Sequence, residues 1–236
     1  ATFDMGAQGV DPEGPNHDPM ARSDEGPVHR VSLDWFLVSK FELTQGQWRR
    51  LGGTSACAFP DGETLPVESV SWGESRDLLR RYGLDLPTEA QWEYAARAGS
   101  SAAWVTGFDR EALADHANFA DRESATRWGW PVREGAPRRS DPFGPTAPVD
   151  AQLSNRFGLY AVHGNVWEWC RDRFAAYDRP LRPANGLRRG GLGSSRVVRG
   201  GSFFDLPERM RFATRSDHMP DERLKFVGLR PVRAVE

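Results

Sequence analysis

The side chains most able to do chemistry lie near the end of the chain. Between Ser202 and Phe226 the sequence carries Asp205, Glu208, Asp217 and His218, residue types that serve in proton transfer. Their spacing forms no recognisable acid/base pair. The five histidines, His17, His29, His116, His163 and His218, show neither HxH nor HExxH spacing and read as core or surface residues. Cys57 and Cys170 belong to no CxxC or other metal-ligand pattern; two buried free thiols are expected, with a single disulfide as the alternative. Around the acids runs a mixture of exposed-type and apolar residues, Phe203, Phe204, Leu206, Ser216, Met219, Leu224, Lys225 and Phe226, with a period of neither 2.0 nor 3.6. That pattern describes a surface better than a scaffold.

The elements that must hold this surface are legible upstream. Thr2-Phe3-Asp4-Met5-Gly6 reads as a strand and Ala7 to Pro27, rich in Gly, Pro, Asp and Glu, as a surface loop. From Val28 the residues alternate, which predicts a half-buried strand with Val31, Leu33, Trp35 and Leu37 on its inner face. Thr44 can cap a short helix carrying Trp48 and stopped by Gly52-Gly53. Ser71-Trp72-Gly73-Glu74 and Thr88-Glu89-Ala90-Gln91 have capping-box spacing and predict two further helices, stopped by Gly83 and Gly99. In the second, Trp92, Ala95 and Ala96 form the inward stripe, and Glu93 sits four residues before Arg97. Residues 100–155 are polar with few regular signals, a length that needs something such as a metal ion to hold it. The Gly, Trp and Asn cluster from Phe157 to Trp169 predicts a tightly turned, buried core strand, and Arg196-Val197-Val198-Arg199 a strand leading into the Gly200-Gly201-Ser202 turn.

Composition narrows the partners. The chain has 236 residues, 39% of them hydrophobic and 27% charged, with 24 glycines and 17 prolines. It should fold, as a loop-rich rather than a helical-bundle protein. No apolar run reaches the roughly 20 residues that span a bilayer, so no membrane insertion is expected. A net charge of −2 gives no electrostatic case for nucleic acid. Lys40 and Lys225 are the only lysines. That bias fits a GC-rich genome, with a thermophilic source as the second reading. There is no basic or apolar leader at the N-terminus, which makes cytoplasmic the default location.

Several blocks resemble one family. Leu86-Pro87-Thr88-Glu89-Ala90-Gln91-Trp92-Glu93-Tyr94-Ala95-Ala96-Arg97, Gly164-Asn165-Val166-Trp167-Glu168-Trp169, Arg196 to Ser202, Arg211-Phe212-Ala213-Thr214-Arg215 and Gly228-Leu229-Arg230 look like the formylglycine-generating enzyme (sulfatase-modifying factor) family. The resemblance runs from about Phe3 to Arg233. It implies an α+β, C-type-lectin-like fold with little regular secondary structure, forming one domain over 1–236 with 196–233 as the ligand-facing segment.

The resemblance also implies metal sites. A first calcium site would use side-chain oxygens of Asn118 and Asp141 and carbonyl oxygens of Phe119 and Phe143, a hard-oxygen set that suits Ca²⁺. A second would use Gly164, Val166 and Glu168, but Ala161 stands where the family has an oxygen ligand, so Glu168 is equally readable as the partner of an arginine. The family's enzymes bind copper through two cysteines shortly after the Gly-Gly-Ser turn. Here Asp205 follows that turn, the stretch from Ser202 to Arg211 is short, and no cysteine occurs after Cys170. Neither Asp205 nor Met210 supplies the soft thiolate that selects Cu(I), so copper and formylglycine generation are not expected.

Without that reaction the segment remains as a surface. It resembles the variable proteins of diversity-generating retroelements, which display a mutated C-terminal segment on the same fold. Adenine-directed change of an Asn codon yields the residue types found at Phe204, Asp205, Leu206, Thr214, Ser216, Asp217 and His218. With Met219, Leu224, Lys225 and Phe226 these form the expected ligand-binding set, for a protein or other macromolecular partner. The competing reading is a cysteine-independent oxidase or tailoring enzyme of the same family, with Asp205, Glu208, Asp217 and His218 as acid/base groups.

Overall fold

Thr44, Ser71 and Thr88 each begin a helix: α1 (Gln45–Arg50), α2 (Trp72–Arg80) and α3 (Glu89–Arg97). Each cap hydroxyl accepts from the backbone N–H three residues on, and Gln47, Glu74 and Gln91 return the bond to the cap's own N–H. Two otherwise unpaired donors are satisfied per helix. These features belong to a computed structural model, which describes residues 1–54, 57–59, 62–129, 131–137, 139–190 and 193–235.

A fourth helix, α4 (Arg122–Trp128), has Asp121 as its cap and Ser124 as the reciprocal partner. It lies inside the segment read as having few regular signals. The strands are β1 (Thr2–Met5), β2 (His29–Ser32), β3 (Phe36–Val38), β4 (Ala117–Asn118), β5 (His163–Gly164), β6 (Trp167–Arg173), β7 (Arg196–Arg199), β8 (Arg215–His218), β9 (Val227–Gly228) and β10 (Val232–Ala234). β8, β7, β6 and β9 form a sheet in that order, antiparallel except for the parallel β6/β9 pair. Glu168 lies opposite Arg199, and Arg199 opposite Arg215.

Successive residues of a strand face opposite sides, so this sheet buries two cores. On one side Trp167, Trp169, Val198 and Val227 pack with Trp48 of α1 and Leu78 and Leu79 of α2. On the other, Cys170 and Val197 pack with Trp92, Ala95 and Ala96 of α3 and with Phe212. The inward stripe of α3 is therefore the predicted one. Cys57 and Cys170 are both free thiols, Cys170 buried and Cys57 half-buried.

The strand expected from Val28 is broken in two. β2 pairs with β1, a pairing that Leu33 and Ala1 extend by exchanging both backbone bonds, but the Asp34 amide turns to the Ala184 carbonyl, and β3 pairs instead with β10. Val31 and Leu33 face the core, whereas Trp35 and Leu37 are 85% and 60% exposed. The alternation continues through a change of partner strand, and only its first half is inward.

Candidate functional site

The segment after β7 is anchored by arginines. Arg199 donates to Glu93 and to the carbonyls of Phe212, Ala213 and Thr214, while Arg215 holds Glu89 at 2.5 and 2.9 Å. Arg211 bridges Asp18 (2.8 Å) and Glu25 (2.6 Å). All these groups are buried, and each guanidinium is closed by an acid from α3 or the N-terminal region. The fixed positive charges hold Glu89 below the usual carboxylate range although burial alone would raise it.

Gly200 and Gly201 turn the chain at φ +99° and +78°. A Cβ on Gly201 would meet the Met210 side chain at 2.5 Å, so the turn and the helical turn Pro207–Arg209 close on each other only around glycine. Asp205 sits in this closure. Its Oδ2 accepts from the Ser202 amide (3.1 Å), the Ser202 hydroxyl (2.7 Å) and the Trp167 indole (2.8 Å), and Arg209 stands 3.9 Å from Oδ1. Phe204 and Leu206 flank it half-buried, with the Arg133 guanidinium 4.6 Å from the Phe204 ring centre. Met210 is completely buried against Trp104 and Phe119.

The rest of the expected binding set lies on β8 and the loop before β9. Asp217, Met219 and Lys225 are exposed; Ser216, His218, Leu224 and Phe226 are half-buried. Thr214 is not on this surface: it is fully buried, its hydroxyl 3.4 Å from the Glu208 carbonyl, because it belongs to the Arg199 anchor. Trp167 and Trp169, two residues apart on β6, connect the two groups. Asp205 hydrogen-bonds the first indole, and the His218 ring stands edge-on to the second at 6.3 Å and beside Phe226 at 5.8 Å. His218 also lies 3.5 Å from Glu222. Among the described residues no three His, Cys, Asp or Glu side chains converge as metal ligands.

Asn118, Phe119, Asp141 and Phe143 are brought together. Asp141 accepts from the Phe119 amide (3.1 Å) and the Phe143 amide (2.9 Å), and its own amide donates to Asp121. Burial, together with Asp121 and Glu123, pushes its carboxyl up to about 7. No described cationic side chain pairs with it. Gly164, at φ +73°, lies opposite Asn118 in the parallel β4/β5 pair, and a Cβ there would come within 2.1 Å of the Asn118 carbonyl oxygen. Val166 follows, with its side chain buried. Glu168 is held by Arg230 (2.7 Å) and the Trp92 indole (2.7 Å), so a positive charge already stands against that carboxylate.

Sequence reasoning missed Glu42. It is fully buried, accepting from the Asn165 amide group (2.6 Å) and the Val166 N–H (3.3 Å). Asn165, at φ +57°, also binds both backbone groups of Ala147 and contacts Asn118 at 3.3 Å. Nothing in Phe41-Glu42-Leu43 marks this acid; only its distant partner Asn165 lies in a readable motif.

The comparisons agree with this architecture. PvdO of Pseudomonas aeruginosa superposes with a TM-score of 0.79 at 23% identity, covering 100% of this chain and 92% of that one. Variable protein 1 of Treponema denticola gives 0.72 at 21% identity, covering 99% and 92%. Both show the shared, C-type-lectin-like fold. The formylglycine-generating enzyme of Streptomyces coelicolor is 35% identical over 188 residues, 78% of this chain and 57% of that protein. The chain spans a little over half the length of the curated relatives it matches. With residues 2–235 matching the sulfatase-modifying factor enzyme 1-like domain, the chain belongs to the formylglycine-generating enzyme (sulfatase-modifying factor) family.

Proposed function

We propose that this chain is a recognition protein that presents its 196–233 segment to a macromolecular ligand and does not generate formylglycine. One observation carries the reading: within the segment, anchors and presented residues are separate sets. Arg199, Arg211, Arg215 and Arg230 are buried in ion pairs, whereas Asp217, Met219 and Lys225 project outward among half-buried Phe204, Leu206, Ser216, His218, Leu224 and Phe226. A backbone fixed from within loses little freedom on binding, and mixed aromatic, aliphatic and charged side chains on it suit an interface hot spot. The fold is shared with variable protein 1 of Treponema denticola, and a display surface of this kind is compatible with that fold. At the position of the missing cysteine, Asp205 offers a hard oxygen already holding three hydrogen bonds, not the thiolate that Cu(I) prefers.

Calcium belongs to the same proposal. Asn118 and Asp141 would offer side-chain oxygens and Phe119 and Phe143 carbonyl oxygens. The fit rests on Asp141, a buried carboxylate lacking a cation partner among the described residues.

Two experiments test the reading. A near-copy of the last ~40 codons, differing mainly at adenines and beside a reverse transcriptase gene, is expected in the source DNA; such segments are long enough for a standard interface side of about 20–30 residues. Incubation with copper, oxygen and a cysteine-containing sulfatase-type peptide should leave the thiol unchanged; conversion to the aldehyde would overturn the proposal.

A further inference from the structure

A second feature lies away from the presented surface. Where β6 ends, its pairing with β7 shifts register and brings Arg173 opposite Arg196. Beside them the loop 180–190 folds back on itself, with Leu181 bridged to Arg188 and the Arg182 and Arg189 amides bonded to the Leu187 and Pro180 carbonyls. Between these segments is a cavity of about 600 Å³ whose described lining includes six arginines and one acid, Asp172. Both Asp172 oxygens are taken by backbone amides, of Arg188 and Glu89, at 2.8 Å each.

The positive charge here is only partly neutralised locally. Arg173, Arg182 and Arg189 are exposed, and their side chains take part in no ion pair or hydrogen bond among the described residues. Arg171 shares the single carboxylate of Asp85, at 3.6 Å, with Arg76 and Arg80. The Nε atoms of Arg171, Arg188 and Arg196 are buried without a hydrogen-bond partner. Burial first, then the charges of Arg173 and Arg76, hold the Arg196 guanidinium below its ordinary value. Unpaired buried donors and crowded like charges both cost free energy unless an anion relieves them.

We propose that this cavity is a binding site for a free, compact phosphate-type polyanion, with Arg173, Arg182 and Arg189 as the residues that contact it. Several planar guanidinium forks match the multiple oxygens of a phosphoryl group, whereas a lone carboxylate is satisfied by one. Among the described residues, Leu187 and Gly190 are the only uncharged ones that line it, so the described wall offers little to a hydrophobic body. The geometry selects the charged head itself.

Calorimetric titration of the full chain with inorganic pyrophosphate, at constant ionic strength so that general screening is held fixed, tests the site. Pyrophosphate should bind more tightly than phosphate, and both more tightly than the dicarboxylate succinate. Arg173→Gln combined with Arg189→Gln should weaken pyrophosphate by at least about tenfold without lowering the ligand-free unfolding midpoint, since both side chains are solvent-exposed and losing their charge relieves repulsion on Arg196. Arg173→Lys, which keeps the charge but not the fork, should fall between. Equal binding of succinate and pyrophosphate would overturn the phosphate assignment. Undiminished binding by the double variant would overturn the location.

Discussion

Glu42 shows how a single buried acid can be structural and still invisible in sequence. Burial, reinforced by the charge of Glu168 and opposed by Arg230, pushes its carboxyl up to about 8, which favours the neutral acid over the carboxylate. Glu42→Gln should then cost about 1 kcal/mol, because its single amide oxygen still accepts from Asn165 and only the longer bond from Val166 is lost; Glu42→Leu leaves both donors unpaired and should cost about 1–3 kcal/mol for each. Urea unfolding of the two variants at pH 7 checks the contrast. His163 tests the opposite sign. Its ring is fully buried, with Nδ1 2.7 Å from the Met210 carbonyl and Nε2 accepting from the Val105 amide, and burial lowers it to about 3. The native ring stays neutral where the unfolded ring takes up a proton. Stability is therefore lost as pH falls from about 6.5 towards 3, by up to ~1.4 kcal/mol per pH unit. His163→Gln should reduce the slope of unfolding free energy against pH in that window by about one proton; an unchanged slope would remove His163 as the cause.

At the scale of elements, α3 was the most readable part of the chain and yet its role was only half visible. The capping box at Thr88 and the Trp92, Ala95, Ala96 stripe placed the helix and its inner face. The Glu93 and Arg97 spacing is equally that of a solvent-exposed pair, and both side chains are in fact buried. What decides this is Arg199 and Arg215, on strands more than a hundred residues later, which need Glu93 and Glu89 as partners. Local spacing cannot report a partner so distant. The same limitation hides the break in the predicted strand after Leu33, since β3 pairs with the distant β10. Removing one member of the anchor should be costly: Arg215→Met leaves Glu89, 1% exposed, with Arg199 at 3.7 Å as its remaining ion-pair partner among the described residues, and is expected to lose about 3–5 kcal/mol. Adding Glu89→Gln should recover part of that loss. Chemical denaturation of the single and double variants gives the coupling directly; independent, additive losses would show that the pair does not act as an anchor.

Across the whole molecule the separated motifs, in their order along the chain, gave the fold, while residues 100–155 gave little beyond their need to be held. The structure shows what holds them: Asp141 ties Phe119 and Phe143, Asn165 ties Asn118 and Ala147, and Ala120 donates to the Asp205 carbonyl at 2.9 Å. That last bond joins the proposed calcium site to the start of the presented surface. If Ca²⁺ binds the native state alone, a concentration one hundred times its Kd adds about 2.7 kcal/mol of stability. Chelation should lower the unfolding midpoint accordingly, and Asp141→Ala should both lower it and abolish any response to added Ca²⁺. Calcium should also act locally: chelation is expected to speed amide exchange at Ala120 and Asp205 more than at Val198, which lies inside the sheet and away from these loops. A uniform increase across all three sites would separate calcium from the surface, whereas a selective one makes the ion part of what holds Phe204, Asp205 and Leu206 in place for binding.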